Sequence, residues 1–82
     1  MKATVWSKYD CPYCEQAKSL LKQKGIEFEE VKIDENAEAR EFVLGEGHRT
    51  VPQIYSDGKV LVEGGFQGLK DQPDEFFQTL LG

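Results

Sequence analysis

The chain is 82 residues long with a formal net charge of −5, and 39% of its residues are hydrophobic. At this length a chain buries only about 60–65% of the surface it exposes when unfolded, so one domain over residues 1–82, with one core, is expected. The negative balance excludes phosphate backbones and anionic membrane surfaces as expected partners, and with no long apolar run and no apolar export signal in Met1 to Trp6 a soluble, cytoplasmic protein is expected.

Ala3 to Ser7, rich in β-branched and aromatic residues, predicts a buried first strand that stops at the polar stretch Lys8-Tyr9-Asp10. Pro12 suits a first helical position, and the stripe Ala17, Leu20, Leu21 before Lys22, Lys24 and Gly25 predicts a helix over Pro12 to Lys24. From Ile26 to Asp34 the alternation is imperfect, as in a strand near a sheet edge with one wet face, and Glu27, Glu29 and Glu30 are expected to be solvated. Asp34 or Asn36 caps a short second helix that buries Ala39, Phe42 and Val43 and ends at Gly45 or Gly47. Val51 to Tyr55 and Lys59 to Glu63 form a hairpin around Asp57-Gly58. After Gly64-Gly65, the pattern of Phe76, Phe77, Leu80 and Leu81 predicts a closing helix from near Pro73. The order is βαβαββα. A right-handed crossover sets the first two strands side by side, with the hairpin added to the same sheet. Trp6, Phe28, Phe42, Phe76 and Phe77 are read as core.

Between the first strand and the first helix stand the only two cysteines, in Cys11-Pro12-Tyr13-Cys14. A helix N-terminus presents unpaired N–H groups and partial positive charge, which favour a thiolate over a thiol. Cysteine pKa values at such sites fall to roughly 3.5–7.5, from about 8.5 for a free side chain. Residues i and i+3 of a helical turn also approach closely enough for a disulfide to open and close with little backbone motion. An idle structural bridge is disfavoured, because so small a loop removes little chain entropy. A metal site is the competing chemistry. Zinc takes four ligands, and beyond Cys11, Cys14 and His48 a closed site would need an acidic side chain or a second chain, so no metal is expected and His48 is read as a polar loop residue.

Ser7-Lys8-Tyr9-Asp10-Cys11-Pro12-Tyr13-Cys14, Arg49-Thr50-Val51-Pro52-Gln53-Ile54 and Gly64-Gly65, in this order and at these separations, resemble a dithiol glutaredoxin over essentially the whole chain. The resemblance implies the α/β thioredoxin fold, a single four-stranded mixed sheet flanked by three helices. It implies a thiol–disulfide oxidoreductase in which Cys11 is the nucleophile and Cys14 resolves the mixed disulfide, either protein thiol or glutathione being the leaving or attacking partner. Glutathione is then a co-substrate and no cofactor is bound. The implied glutathione-binding residues are Lys8, Tyr13, Thr50, Val51, Pro52, Gly64, Gly65, Phe66 and Gln67, with a cis bond before Pro52 and the Val51 backbone pairing with the extended peptide. Implied partners are disulfide-containing or glutathionylated proteins, with ribonucleotide reductase as a candidate, and a monomer is expected. Pro12 and the bulky Tyr13 speak against the bridging iron–sulfur cluster found among some glutaredoxins.

One segment departs from the family pattern. Where many members carry an acidic pair after Gly-Gly, this chain has Phe66-Gln67-Gly68-Leu69, and a charge-assisted bond is about twice as strong as the neutral one that Gln67 offers. Related redoxins that serve ribonucleotide reductase and draw on thioredoxin reductase also carry Gly-Phe here, which sets a second reading beside the first.

Overall fold

The structure, a computed structural model, describes residues 2–81. Strand β1 (Lys2–Ser7) buries Ala3, Val5 and Ser7 on one face and leaves Thr4 and Trp6 half-buried on the other. It lies at the centre of the sheet, parallel to β2 (Glu27–Lys32) from Lys2↔Glu27 to Ser7↔Lys32, and antiparallel to β3 (Gln53–Ser56) through Thr4↔Tyr55. Strand β4 (Lys59–Val62) closes the far edge, so the order is β2-β1-β3-β4. Both turn residues of the hairpin are left-handed, Asp57 at φ 53° and Gly58 at φ 77°, which matches the twist that a two-residue connection needs.

The four helices are α1 (Pro12–Gln23), α2 (Ala37–Gly45), α3 (Gly65–Lys70) and α4 (Asp74–Leu81). On one face of the sheet Val5 and Ile54 pack with Ala17 and Leu21 of α1, Leu69 of α3, and Phe77 and Leu80 of α4. On the other face Phe42 of α2 stacks on Trp6 at 4.7 Å between centroids, and Tyr55 meets both edge-on. The buried faces of α1, α3 and α4 therefore cover the centre of the sheet from one side, and α2 covers it from the other.

Four expectations need correction. There are four helices where three were expected, because Gly65–Lys70 winds into a short helix despite two glycines. Leu69 is fully buried, and Gly68 allows its turn to lie against the Glu63 carbonyl, where any Cβ would clash. Strand β3 begins at Gln53 instead of Val51, since the Val51–Pro52 bond is cis and turns the chain out of the sheet. Glu30 is not a solvated charge on the wet face of β2: its carboxylate accepts from Ser7 Oγ at 2.6 Å and pairs with Lys18 Nζ at 2.9 Å. Phe42 sits at the rim of the interior, 36% exposed.

Candidate active site

The chain leaves β1 through Lys8-Tyr9-Asp10, and Asp10 takes a left-handed conformation (φ 54°) that turns it sharply into α1. Cys11 is the N-cap, in extended conformation, with Pro12 behind it where a missing N–H costs nothing. Its carbonyl accepts from Glu15 N–H at 3.1 Å, and its Sγ accepts from Cys14 N–H at 3.2 Å. Cys11 and Cys14 are joined as a disulfide with Cα atoms 5.2 Å apart. Cys14 is fully buried, whereas Cys11 retains 8% of its surface, less than a sulfur facing open water would show. What stays open of the pair is therefore Cys11, which lines a shallow depression with Asp10, Pro12 and Glu15.

The loop before β3 supplies the opposite wall. Cys11 Sγ lies 3.9 Å from the Val51 carbonyl oxygen, and the preceding Thr50 carbonyl is held by Gln53 Nε2 at 2.8 Å. The cis bond turns the Val51 backbone toward the dithiol. Gly65 closes on the other side: a Cβ there would stand 2.6 Å from the Pro52 carbonyl oxygen, so only glycine lets α3 start this close. Tyr13, 62% exposed, stacks loosely on Phe66 with centroids 6.1 Å apart. Between these walls runs a groove of about 330 Å³ lined by Tyr13, Thr50, Val51, Pro52, Gly64, Gly65, Phe66 and Gln67. That is a small site on the scale of ligand pockets.

Lys8 alone among the nominated positions is elsewhere. It lines a neighbouring groove of about 440 Å³ that shares Thr50 and Val51 with the first. The sequence could not place it, because the direction of an irregular loop depends on a turn that residue Asp10 makes without any glycine to signal it. Gln67 does not project as a free amide: its Nε2 donates to Asp71 Oδ1 at 3.1 Å, a pairing visible in the i, i+4 spacing once α3 is known to be helical. His48 is half-buried and engaged, its Nε2 2.7 Å from Tyr55 Oη, which donates in turn to Glu46 Oε1 at 3.1 Å. Burial and then the Glu46 carboxylate hold the Tyr55 phenol above its ordinary value, so it stays a donor. The three side chains bracket the end of α2 and the loop that leads to Val51. Among the described residues no group of three or more His, Cys, Asp or Glu side chains converges as metal ligands, and no helix is long and apolar enough to cross a membrane.

The glutaredoxin family model matches residues 3–61 of the chain. Glutaredoxin 3 of Escherichia coli is 46% identical over 56 residues, covering 67% of this chain and 68% of its own. Among solved structures, a buckwheat glutaredoxin–glutathione complex superposes with a TM-score of 0.75 at 26% identity, over 96% of this chain and 74% of that one. The glutaredoxin-like NrdH-redoxin of Escherichia coli, whose activity profile is described as thioredoxin-like, gives 0.73 at 25% identity, over 89% and 97%. The sheet order and helix placement are those of the thioredoxin fold that these proteins share. A dithiol held at a helix start opposite a cis-proline loop, on a chain so similar in sequence, belongs to the glutaredoxin family and makes this protein a thiol–disulfide oxidoreductase.

Proposed function

We propose that the protein uses glutathione as co-substrate and reduces protein disulfides and glutathione mixed disulfides through Cys11 and Cys14. The observation that carries this reading is the groove beside Cys11, whose walls are the exposed Tyr13, the Val51 backbone and the Gly64-Gly65 start of α3. An extended peptide lying there would pair with Val51 as an added strand does, its sulfur directed at Cys11. Its negative ends would find Lys8 across Val51 at one side and the N–H groups of the first α3 turn at the other. Gln67, bonded to Asp71, brings a carboxylate one helical turn from the groove, where the expected acidic pair is missing.

The chemistry follows from the cap. In the reduced protein a thiolate at Cys11 keeps the Cys14 N–H and the positive end of α1, so it is favoured at neutral pH. It attacks a substrate disulfide, one thiol leaves with the electron pair, and a mixed disulfide with Cys11 remains. Cys14 Sγ then displaces the second thiol and restores the internal disulfide, which two glutathione molecules reduce as they become glutathione disulfide. When the bound half is glutathione itself, a second glutathione attacks directly and Cys14 is bypassed. Disulfide-bonded and glutathionylated proteins are the partners this implies, ribonucleotide reductase is one candidate, and a reducing compartment such as the cytoplasm suits the cycle.

A second reading is favoured by one observation: Phe66 stacks on Tyr13 where an acidic pair would stand, leaving that end of the groove aromatic. On that reading thioredoxin reductase supplies the electrons. NADPH oxidation in two reconstituted systems decides between them, one holding glutathione and its reductase, the other thioredoxin reductase. We expect turnover in the first; turnover only in the second replaces the proposal. In the glutathione system Cys11→Ser should abolish all activity, while Cys14→Ser should spare deglutathionylation and lose reduction of protein disulfides. Equal losses would contradict the division of roles.

A further inference from the structure

We infer that His48 and Tyr55 are positioning residues: their hydrogen bond ties the loop before β3 to the sheet and so sets where the Val51 backbone stands beside Cys11 for an incoming substrate chain. The inference rests on the part of the reading above in which an extended chain pairs with Val51, whatever supplies the electrons. Residues 48–52 belong to no helix or strand, and open space borders them on both sides. His48 and Thr50 line the groove of about 440 Å³ that holds Lys8, and they also line a depression of about 330 Å³ shared with Gln53, Val60 and Glu63. A segment open on two sides is not fixed by packing, so its few polar ties decide its place. At one end the Thr50 carbonyl accepts from Gln53 Nε2 at 2.8 Å. At the other, His48 N–H donates to the Val43 carbonyl at 3.1 Å, and the His48 ring meets Tyr55 Oη at 2.7 Å, the shortest of the three contacts.

Tyr55 is a fixed point for such a tie. It is buried, it stands opposite Thr4 of β1, and its ring meets Trp6 and Phe42 edge-on, so its hydroxyl does not follow a moving loop. Strand β1 runs directly into the Cys11 turn, and a loop held by Tyr55 is therefore held to the frame that carries the dithiol. The direction of the bonds follows from counting protons. The phenol has one, and it goes to Glu46 Oε1, the C-cap residue of α2. Burial and the Glu46 carboxylate keep that proton on the phenol oxygen. Toward His48, Tyr55 can then only accept, so Nε2 of the ring carries a hydrogen and donates. Val51 lies three residues beyond His48, and its carbonyl oxygen is 3.9 Å from Cys11 Sγ. At that range a shift of about 1 Å in the loop misdirects the sulfur of a paired chain.

The test uses pre-reduced protein and a peptide with one internal disulfide, without glutathione, in single turnover over a range of peptide concentrations. Tyr55→Phe keeps the ring and removes the hydroxyl, His48→Leu removes the donor, and His48→Gln retains an N–H at a similar reach from the backbone. Tyr55→Phe and His48→Leu should each raise the peptide concentration that gives half the limiting rate by about fivefold, with the limiting rate itself changed less than about twofold. The double variant should be no worse than either single one, since both remove the same bond. His48→Gln should stay close to the unaltered protein. Hydrogen exchange at the amides of residues 48–51 should quicken in the two impaired variants and not in His48→Gln. Unchanged half-saturation in both Tyr55→Phe and His48→Leu overturns the inference, and so does a His48→Gln variant as impaired as His48→Leu. Because glutathione is absent, failure of the glutathione assay leaves this result standing, and unchanged half-saturation here leaves that assay standing.

Discussion

Gly65 shows how a single residue connects the fold to the site. Its φ of +59° is open to few side chains, and a methyl group there would meet the Pro52 carbonyl oxygen at 2.6 Å, a backbone atom that cannot swing away. Gly65→Ala should therefore push α3 off the cis-proline loop, widen the groove and cost about 2–3 kcal/mol of stability. The dithiol itself is held by α1 and is untouched by the change. Urea unfolding should report the loss of stability, and steady-state kinetics with a glutathione mixed disulfide should show KM raised about tenfold with kcat little altered. A parallel fall in kcat at constant KM would mean that Gly65 acts on the sulfur chemistry and not on peptide binding. Cys11 and Cys14 could be read from their spacing at a helix start, whereas Pro52 and Gly65 were legible only through the family resemblance of the segments that hold them. Lys8 could be named but not placed, and His48 and Tyr55 are joined by a hydrogen bond that no sequence periodicity marks.

Helix α2 carries Arg40, Val43 and Leu44 along one groove wall, and its start depends on one side chain. Asn36 Oδ1 accepts from Glu38 N–H at 2.9 Å and Ala39 N–H at 3.2 Å, which satisfies two donors that the helix itself leaves open. Asn36→Ala should cost about 1 kcal/mol, read as a shifted urea midpoint at unchanged slope. A change below the error of that measurement would show that the stack of Phe42 on Trp6 holds α2 without its cap. Of the two capping candidates in the sequence, Asn36 is the one used, while Asp34 turns back to the Tyr9 N–H. Strands and long helices could be read because alternation and apolar stripes repeat along them. Helix α3 could not: its six residues include Gly65 and Gly68, and glycine costs about 1 kcal/mol in a helix interior relative to alanine. Its helicity comes from burial of Leu69 and from close approach to β4, both of which are tertiary.

At the scale of the whole molecule the pairing of the first two strands followed from crossover handedness and the hairpin's place in the same sheet from its turn, but the position of β3 beside β1 did not, nor did the charged part of the joint between α1 and the sheet. Glu30 on edge strand β2 accepts from Ser7 at the end of β1 and pairs with Lys18 on α1, which also holds Glu15. Burial pushes the Glu30 carboxyl up, yet the Ser7 hydroxyl and the Lys18 ammonium outweigh it and hold the group below its ordinary value of 4.5. The Lys18 ammonium, bonded first to Glu15 and then to Glu30, is held above its ordinary 10.5. A carboxyl depressed on folding contributes stability above its unfolded value, and that contribution disappears as pH falls through the folded value. A raised lysine contributes below its unfolded value and fails only in strong alkali, so the joint is complete from about pH 5 to pH 10. Glu30→Gln keeps a partner for Ser7 and removes only the charge, at a cost of about 1–2 kcal/mol at neutral pH. Urea unfolding of the two proteins in steps down to about pH 3 should show this gap closing below the ordinary carboxyl value. A gap that stays constant through the acid range would assign the stability of the joint to packing and not to the ionised Glu30, whereas a closing gap would place acid sensitivity in the charged contact that joins the dithiol helix to both parallel strands.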